Sequence, residues 1–197
     1  FNRSRESVRQ FVALDRLMTY LIKYLAAIFI GQVRRDKPPD FPLPERLKWL
    51  ARPMLENWAD AIIELSRLYQ QPAWRDKWQL PEILDACVRP LPDTPELRDA
   101  VYYLAAKVDH SVPESPSIVA VLHLLARCCC QEWESAAGQY PEGKIALLLP
   151  RLQAALATVL EQLQPLQKYP LVYTEWVDQA GDDVRLRLKQ FMGRFTE

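Results

Sequence analysis

The sequence predicts a mainly α fold, an irregular bundle of about five helices with a short β-hairpin at its carboxyl end. Three observations point there. Apolar residues recur at steps of three and four along most of the first 165 positions, the period of helices with a covered face. Sixteen prolines against five glycines suit helices separated by rigid turns, and disfavour phosphate loops and β-sandwiches. After Pro165 the pattern changes to a period of two. The expected division is a helical domain over 1–165 and a hairpin element over 166–197, either packed on the bundle or beginning a further domain.

The first helix is expected from about Ser4 to Val33, with Phe11, Leu14, Met18, Leu21, Ile22, Leu25, Ile28 and Phe29 on its covered side. From Leu17 onward Tyr20, Tyr24 and Ala27 make the opposite side apolar too, so its second half should lie between neighbours. Arg34, Arg35 and Lys37 complement the carboxyl end of the helix dipole, and Pro38-Pro39 stops the helix. Pro44 and Glu45 suit the first turn of a second helix that carries an apolar stripe to Tyr69, with a break near Ala51 forced by Pro53.

Residues 70–95 form a connection punctuated by prolines, with a short helix over Pro81–Val88 and two tryptophans, Trp74 and Trp78, one turn apart. Thr94-Pro95-Glu96 is a helix start: a hydroxyl cap, proline at the first position, then a carboxylate. That helix should run to about Val108, with Leu97, Val101, Leu104, Ala105 and Val108 inward, and break at Asp109-His110-Ser111.

Pro116 to Trp133 is apolar nearly all round, and its polar residues His123, Arg127, Gln131 and Glu134 fall in one line. A helix of that kind belongs at the centre of its domain. Ser115 is its expected cap, Pro116 its first residue and Gly138 its end. A last long helix opens at Pro141-Glu142 and runs to about Leu163, with Pro150 predicting a kink. Leu171–Val177 and Val184–Phe191 read as strands joined by turn residues around Gly181, with a helix over 183–192 as the competing assignment.

Twenty-five basic and twenty-five acidic residues balance, so no global field draws the chain to nucleic acid or an anionic membrane. The longest apolar stretch, Leu17 to Ile30, is interrupted by Lys23 and falls short of a membrane span, so no membrane role is expected. Cys128, Cys129 and Cys130 point about 100° apart on a helix and cannot hold one metal together. With Cys87 they read as buried reduced thiols, which places the chain in the cytoplasm. No metal set, cofactor motif, nucleophile elbow or phosphate loop is present in the sequence. A start at Phe1, with a helix almost at once, reads as a segment of a longer protein.

Of the two histidines, His123 reads as a hydrogen-bonded core residue, while His110 lies in the break between two antiparallel helices. A long first helix, then a helix pair with a histidine at its junction, resembles the HEPN-like helical domains of large bacterial signalling and conflict proteins. The Leu14–Ile30 stretch and Tyr169-Pro170-Leu171-Val172 are similar to segments of such modules, and the resemblance covers residues 8–165. It implies a helical regulatory module, and makes His110 the one catalytic candidate. The family's ribonucleases place an arginine ahead of the histidine with four to six residues between them. Here Arg98 precedes His110 by twelve positions and Lys107 by three, so the resemblance implies a non-catalytic copy.

The expected function is therefore a non-catalytic protein-interaction or regulatory module of a cytoplasmic, bacterial parent protein. Its partners would be other domains of that parent or separate proteins, with a homodimer possible. Trp74 and Trp78 are the partner-binding candidates, although two tryptophans at that spacing more often form a lid over a bundle end. The alternative is a nucleic-acid-binding or degenerate ribonuclease-like module that uses His110 and a basic strand face of Arg185, Arg187 and Lys189 with Arg194 nearby. A small-molecule sensor with a pocket between helices is the third reading.

Overall fold

A computed structural model of the chain describes residues 2–38, 54–135, 142–168, 172–180 and 183–190. Two compact units result, Phe1–Leu163 and Gln164–Glu197.

Among the described residues, the first unit holds seven helices. Helix α1 spans Asn2–Asp36, and its 35 residues make a rod roughly 50 Å long. It buries Phe11, Met18, Ile22, Leu25, Phe29 and Val33 along one line. Lys37 takes a left-handed conformation (φ 45°) and its N–H donates to the Val33 carbonyl, after which Pro38 prevents continuation. Helix α2 spans Leu55–Gln70 and buries Ala59, Ile62, Leu65, Leu68 and Tyr69. The expected start of this helix at Pro44 and its break at Ala51 lie outside the described residues.

A four-residue turn, α3 (Pro72–Arg75), and α4 (Pro81–Val88) come next; α4 buries Ile83, Leu84, Ala86 and Cys87. Helix α5 spans Pro95–Lys107 and starts as its sequence requires: the Thr94 hydroxyl accepts from the Leu97 N–H at 3.2 Å. All five residues expected inward on it, from Leu97 to Val108, are buried.

Helix α6 spans Ile118–Ser135 and packs against α1, α2, α4, α5 and α7, the central place its all-round apolar character predicts. Its start is corrected from Ser115. The Leu91 N–H donates to the Pro116 carbonyl at 2.8 Å, and Pro90 and Ser117 form a β-bridge. That pairing keeps 116–117 extended, so Ser117 becomes the cap, its Oγ 3.5 Å from the Ala120 N–H. Helix α7, Glu142–Gln162, runs unbroken through Pro150. It lies against α1, α5 and α6 and buries Ile145, Leu148, Leu152, Leu156 and Val159.

Among the described residues, the expected sandwiching of the second half of α1 does not occur. Tyr20 is 71% exposed, Leu17 and Ala27 are exposed, and a side chain added at Gly31 would meet nothing within 4 Å. An apolar face on both sides of a helix says that both want covering; it does not say that the same domain supplies both covers.

In the second unit, Gln164–Lys168 forms a 3₁₀ turn. Beyond it the backbones of Val172–Ala180 and Asp183–Gln190 are extended and pair antiparallel, with an irregularity between Thr174 and Trp176. These two segments carry no weight in the fold class, which rests on the helices: the protein is mainly α. Among the described residues no helix is long and apolar enough to cross a membrane.

Candidate functional site

The most structured polar place in the first unit is a cleft that both histidines enter. Its walls are the last turns of α2, the 109–117 turn and the start of α6. Helix α5 ends with Asp109 in a left-handed conformation (φ 49°), and the His110 N–H returns to the Ala105 carbonyl at 2.9 Å. This six-to-one closure fixes the backbone that carries His110. His123 comes from the polar line of α6. Its Nε2 lies 2.9 Å from Asp60 Oδ1 on α2, and its side chain is only 13% exposed. With Nε2–H given to Asp60, one tautomer and one ring orientation are selected. The two imidazoles meet edge to face with centroids 5.6 Å apart.

The cleft encloses about 380 Å³. Ile63, Val88, Pro113, Val119 and Leu124 supply apolar walls, while Arg67, Gln70, Ser111 and Ser117 bring polar groups. Neighbouring polar groups on α2 are already committed in part: Ser66 Oγ donates to the Ile63 carbonyl, and Gln70 Nε2 donates to the Ser66 carbonyl. The sequence singles out each histidine separately. Their meeting, thirteen positions apart, depends on the angle between α5 and α6, which no local pattern encodes.

Trp74 and Trp78 are not a pair. Trp78 is 5% exposed, its ring 4.6 Å from both Phe29 and Tyr69, and its Nε1–H donates to the Leu80 carbonyl. A ring so enclosed closes the end of α1 and α2 and is corrected out of the partner-binding set. Trp74 remains half-buried beneath the Lys77 ammonium, 4.0 Å from its ring centre.

Nor do the cations at the end of α1 act alike. Arg35 donates to the Lys77 carbonyl at 2.7 Å and pairs with Asp36. Asp36 also accepts from Gln32 and from the Tyr69 hydroxyl, both at 2.8 Å. Burial pushes its carboxyl up, but the bonds from Gln32, Tyr69 and Arg35 outweigh burial and hold it below the usual carboxylate range. Burial, together with the same contact, pushes the Tyr69 phenol well up. This knot ties α1, α2 and the Trp78 loop together.

Backbone register sets Arg185 opposite Asp178, Arg187 opposite Trp176 and Lys189 opposite Tyr173; Arg194 lies outside the described residues. Among the described residues no three His, Cys, Asp or Glu side chains are grouped to hold a metal ion.

The chain matches no protein-family model, and neither a curated protein nor a solved structure resembles it.

Proposed function

We propose that the chain is a non-catalytic interaction module that captures a partner protein on the outer face of α1. One observation supports this reading. Ala13, Leu17, Tyr20, Tyr24, Ala27 and Gly31 succeed one another at alternating steps of four and three, the seam that helices use to pair. Five of the six are exposed and Tyr24 is half-buried. Burial pushes the Tyr24 phenol up, the one inward-leaning member of the row.

Charge selects the partner. Arg9, Arg16 and Lys23, spaced by sevens, run beside the seam, and Arg34 stands at its carboxyl end. All are exposed, and no exposed residue of α1 between Arg9 and Arg35 is acidic. A second copy aligned in parallel would set these cations against each other, so the face suits an acidic amphipathic helix, from the parent chain or a separate protein.

A nucleic-acid reading draws on the same cations interleaved with Tyr20 and Tyr24. The small residues Ala13, Ala27 and Gly31 favour the helix reading, because they let a second backbone approach where stacked bases would find nothing to rest on. The C-terminal unit enters as a β-hairpin, a reading supported by its antiparallel register and by turn residues around Gly181.

The test is fluorescence anisotropy with a labelled peptide helix carrying Leu at its seam and Glu beside it. Saturable binding is expected, lost in Leu17→Ser/Tyr20→Ser and weakened in Arg16→Glu/Lys23→Glu. Binding indifferent to these changes rejects the face. Saturable binding of single-stranded RNA, but not of the peptide, with the same mutant sensitivity, replaces the proposal with the nucleic-acid reading.

A further inference from the structure

The two-histidine cleft contains no residue of α1, so it is a separate place with separate chemistry. We propose that it binds a phosphomonoester, with the phosphate held by Arg67, His110 and Ser117 and the organic part seated on the apolar walls.

The donors converge from three elements. Arg67 stands on α2 as an exposed guanidinium, and among the described residues no carboxylate pairs with it. The Ser117 hydroxyl accepts from the Ala120 N–H, which leaves its own hydrogen to give. His110 is exposed on a backbone anchored to Ala105. No lining residue is acidic, and Asp60, the carboxylate on the far side of His123, is occupied by Nε2. Arg67 gives the lining one formal positive charge and no lining residue is negative, so the concave surface favours an anion. A planar guanidinium fork with separated hydroxyl and imidazole donors suits the tetrahedral spread of phosphate oxygens better than a flat carboxylate.

Size and apolarity argue for more than a bare ion. At about 380 Å³ the space is within the usual range for small-molecule sites, and Val88, Pro113, Val119 and Leu124 offer nothing to inorganic phosphate. The geometry also separates binding from cleavage. An in-line phosphoryl displacement needs its base and acid on opposite sides of phosphorus. Here the imidazoles touch edge to face and His123 is turned toward Asp60, so they present one side to a guest.

With only two histidines, the imidazole signals of the full ¹⁵N-labelled chain form a two-probe assay. Inorganic phosphate, AMP and acetate are titrated at constant ionic strength. Expected are saturable displacement of both signals by phosphate and AMP, at least about tenfold tighter binding of AMP, and no saturation by acetate. Arg67→Ala should weaken AMP about tenfold or more, the loss of a hydrogen bond to a charged group, with the free-state signals unmoved. Val119→Asn, which removes apolar surface without adding charge, should weaken AMP while leaving inorganic phosphate within about twofold. Linear drift without saturation overturns the proposal, and so does saturable binding that Arg67→Ala leaves intact. None of these outcomes touches the α1 face, whose peptide binding is read separately.

Discussion

Asp36 shows how single residues hold this bundle together. Its folded carboxyl is held low, so it contributes stability that is complete above the ordinary carboxylate range and is lost as pH falls through the folded value. Asp36→Asn should therefore flatten the acid limb of the stability profile measured by urea unfolding between neutral pH and about pH 3. Asp36→Ala leaves the buried Tyr69 hydroxyl without its acceptor, and should cost about 1–3 kcal/mol at neutral pH. Asp109 works in the other direction. A non-glycine residue at φ 49° carries a steric penalty, so Asp109→Gly should raise stability by up to about 1 kcal/mol while keeping the closure that places His110. Cys87 is inert because burial pushes its thiol up to about 12. Iodoacetamide mapping at about pH 8 should find it unmodified until the chain is unfolded. Its burial is legible from its apolar neighbours in α4. The partners of Asp36 are not, because Tyr69 reaches it from 33 positions away and Lys77 joins the same knot from 42 positions beyond Arg35.

Elements with local signals are the legible ones. Thr94-Pro95-Glu96 fixes the start of α5 through chemistry contained in three residues, and Thr94→Ala should lower stability by about 1 kcal/mol in thermal unfolding. The central place of α6 is readable from its pattern alone, since a helix with one polar line has no other stable location. Its cap is not readable, because Pro116 is held by Leu91, a bond from a different segment that propensity cannot register. Two apolar features that matter for function are settled only by packing. The pattern leaves Trp78 open between a gripping residue and a lid over the bundle end, and it is the lid; the pattern makes the outer side of α1 core, and among the described residues it is surface. Hydrophobicity is scalar information, and which apolar face finds a cover is decided by the route of the intervening chain. On α1 that discrepancy supports the proposed interaction face: among the described residues, a seam with pairing periodicity and a cationic border is left uncovered. Removing it should leave folding almost unaffected. Leu17→Ser/Tyr20→Ser should change the free energy of unfolding by no more than about 0.5 kcal/mol, the range of surface substitutions. A loss several times larger would show that the face is covered within the folded chain.

At the scale of the whole molecule, the first unit is closed on itself. Helix α1 packs against α7 as well as against α2, so the beginning and the end of Phe1–Leu163 are joined, with α6 enclosed by five neighbours. Phe11, Phe29, Leu104, Val121, Leu125 and Val159 are all buried to within 2% of full enclosure, and they come from four helices distributed along this unit. The chain ended after Leu163 should therefore unfold cooperatively, with a free energy within about 0.5 kcal/mol of the full chain and an unchanged slope in denaturant, since that slope tracks the surface one cooperative unit exposes. A drop of several kcal/mol, or a shallower slope, would mean that Gln164–Glu197 completes the core. The same truncated chain then locates function. Both the α1 face and the two-histidine cleft are composed wholly of residues before Leu163, so peptide and AMP binding should survive the cut with their affinities unaltered. Loss of either one while folding is retained would assign part of that site to the C-terminal unit.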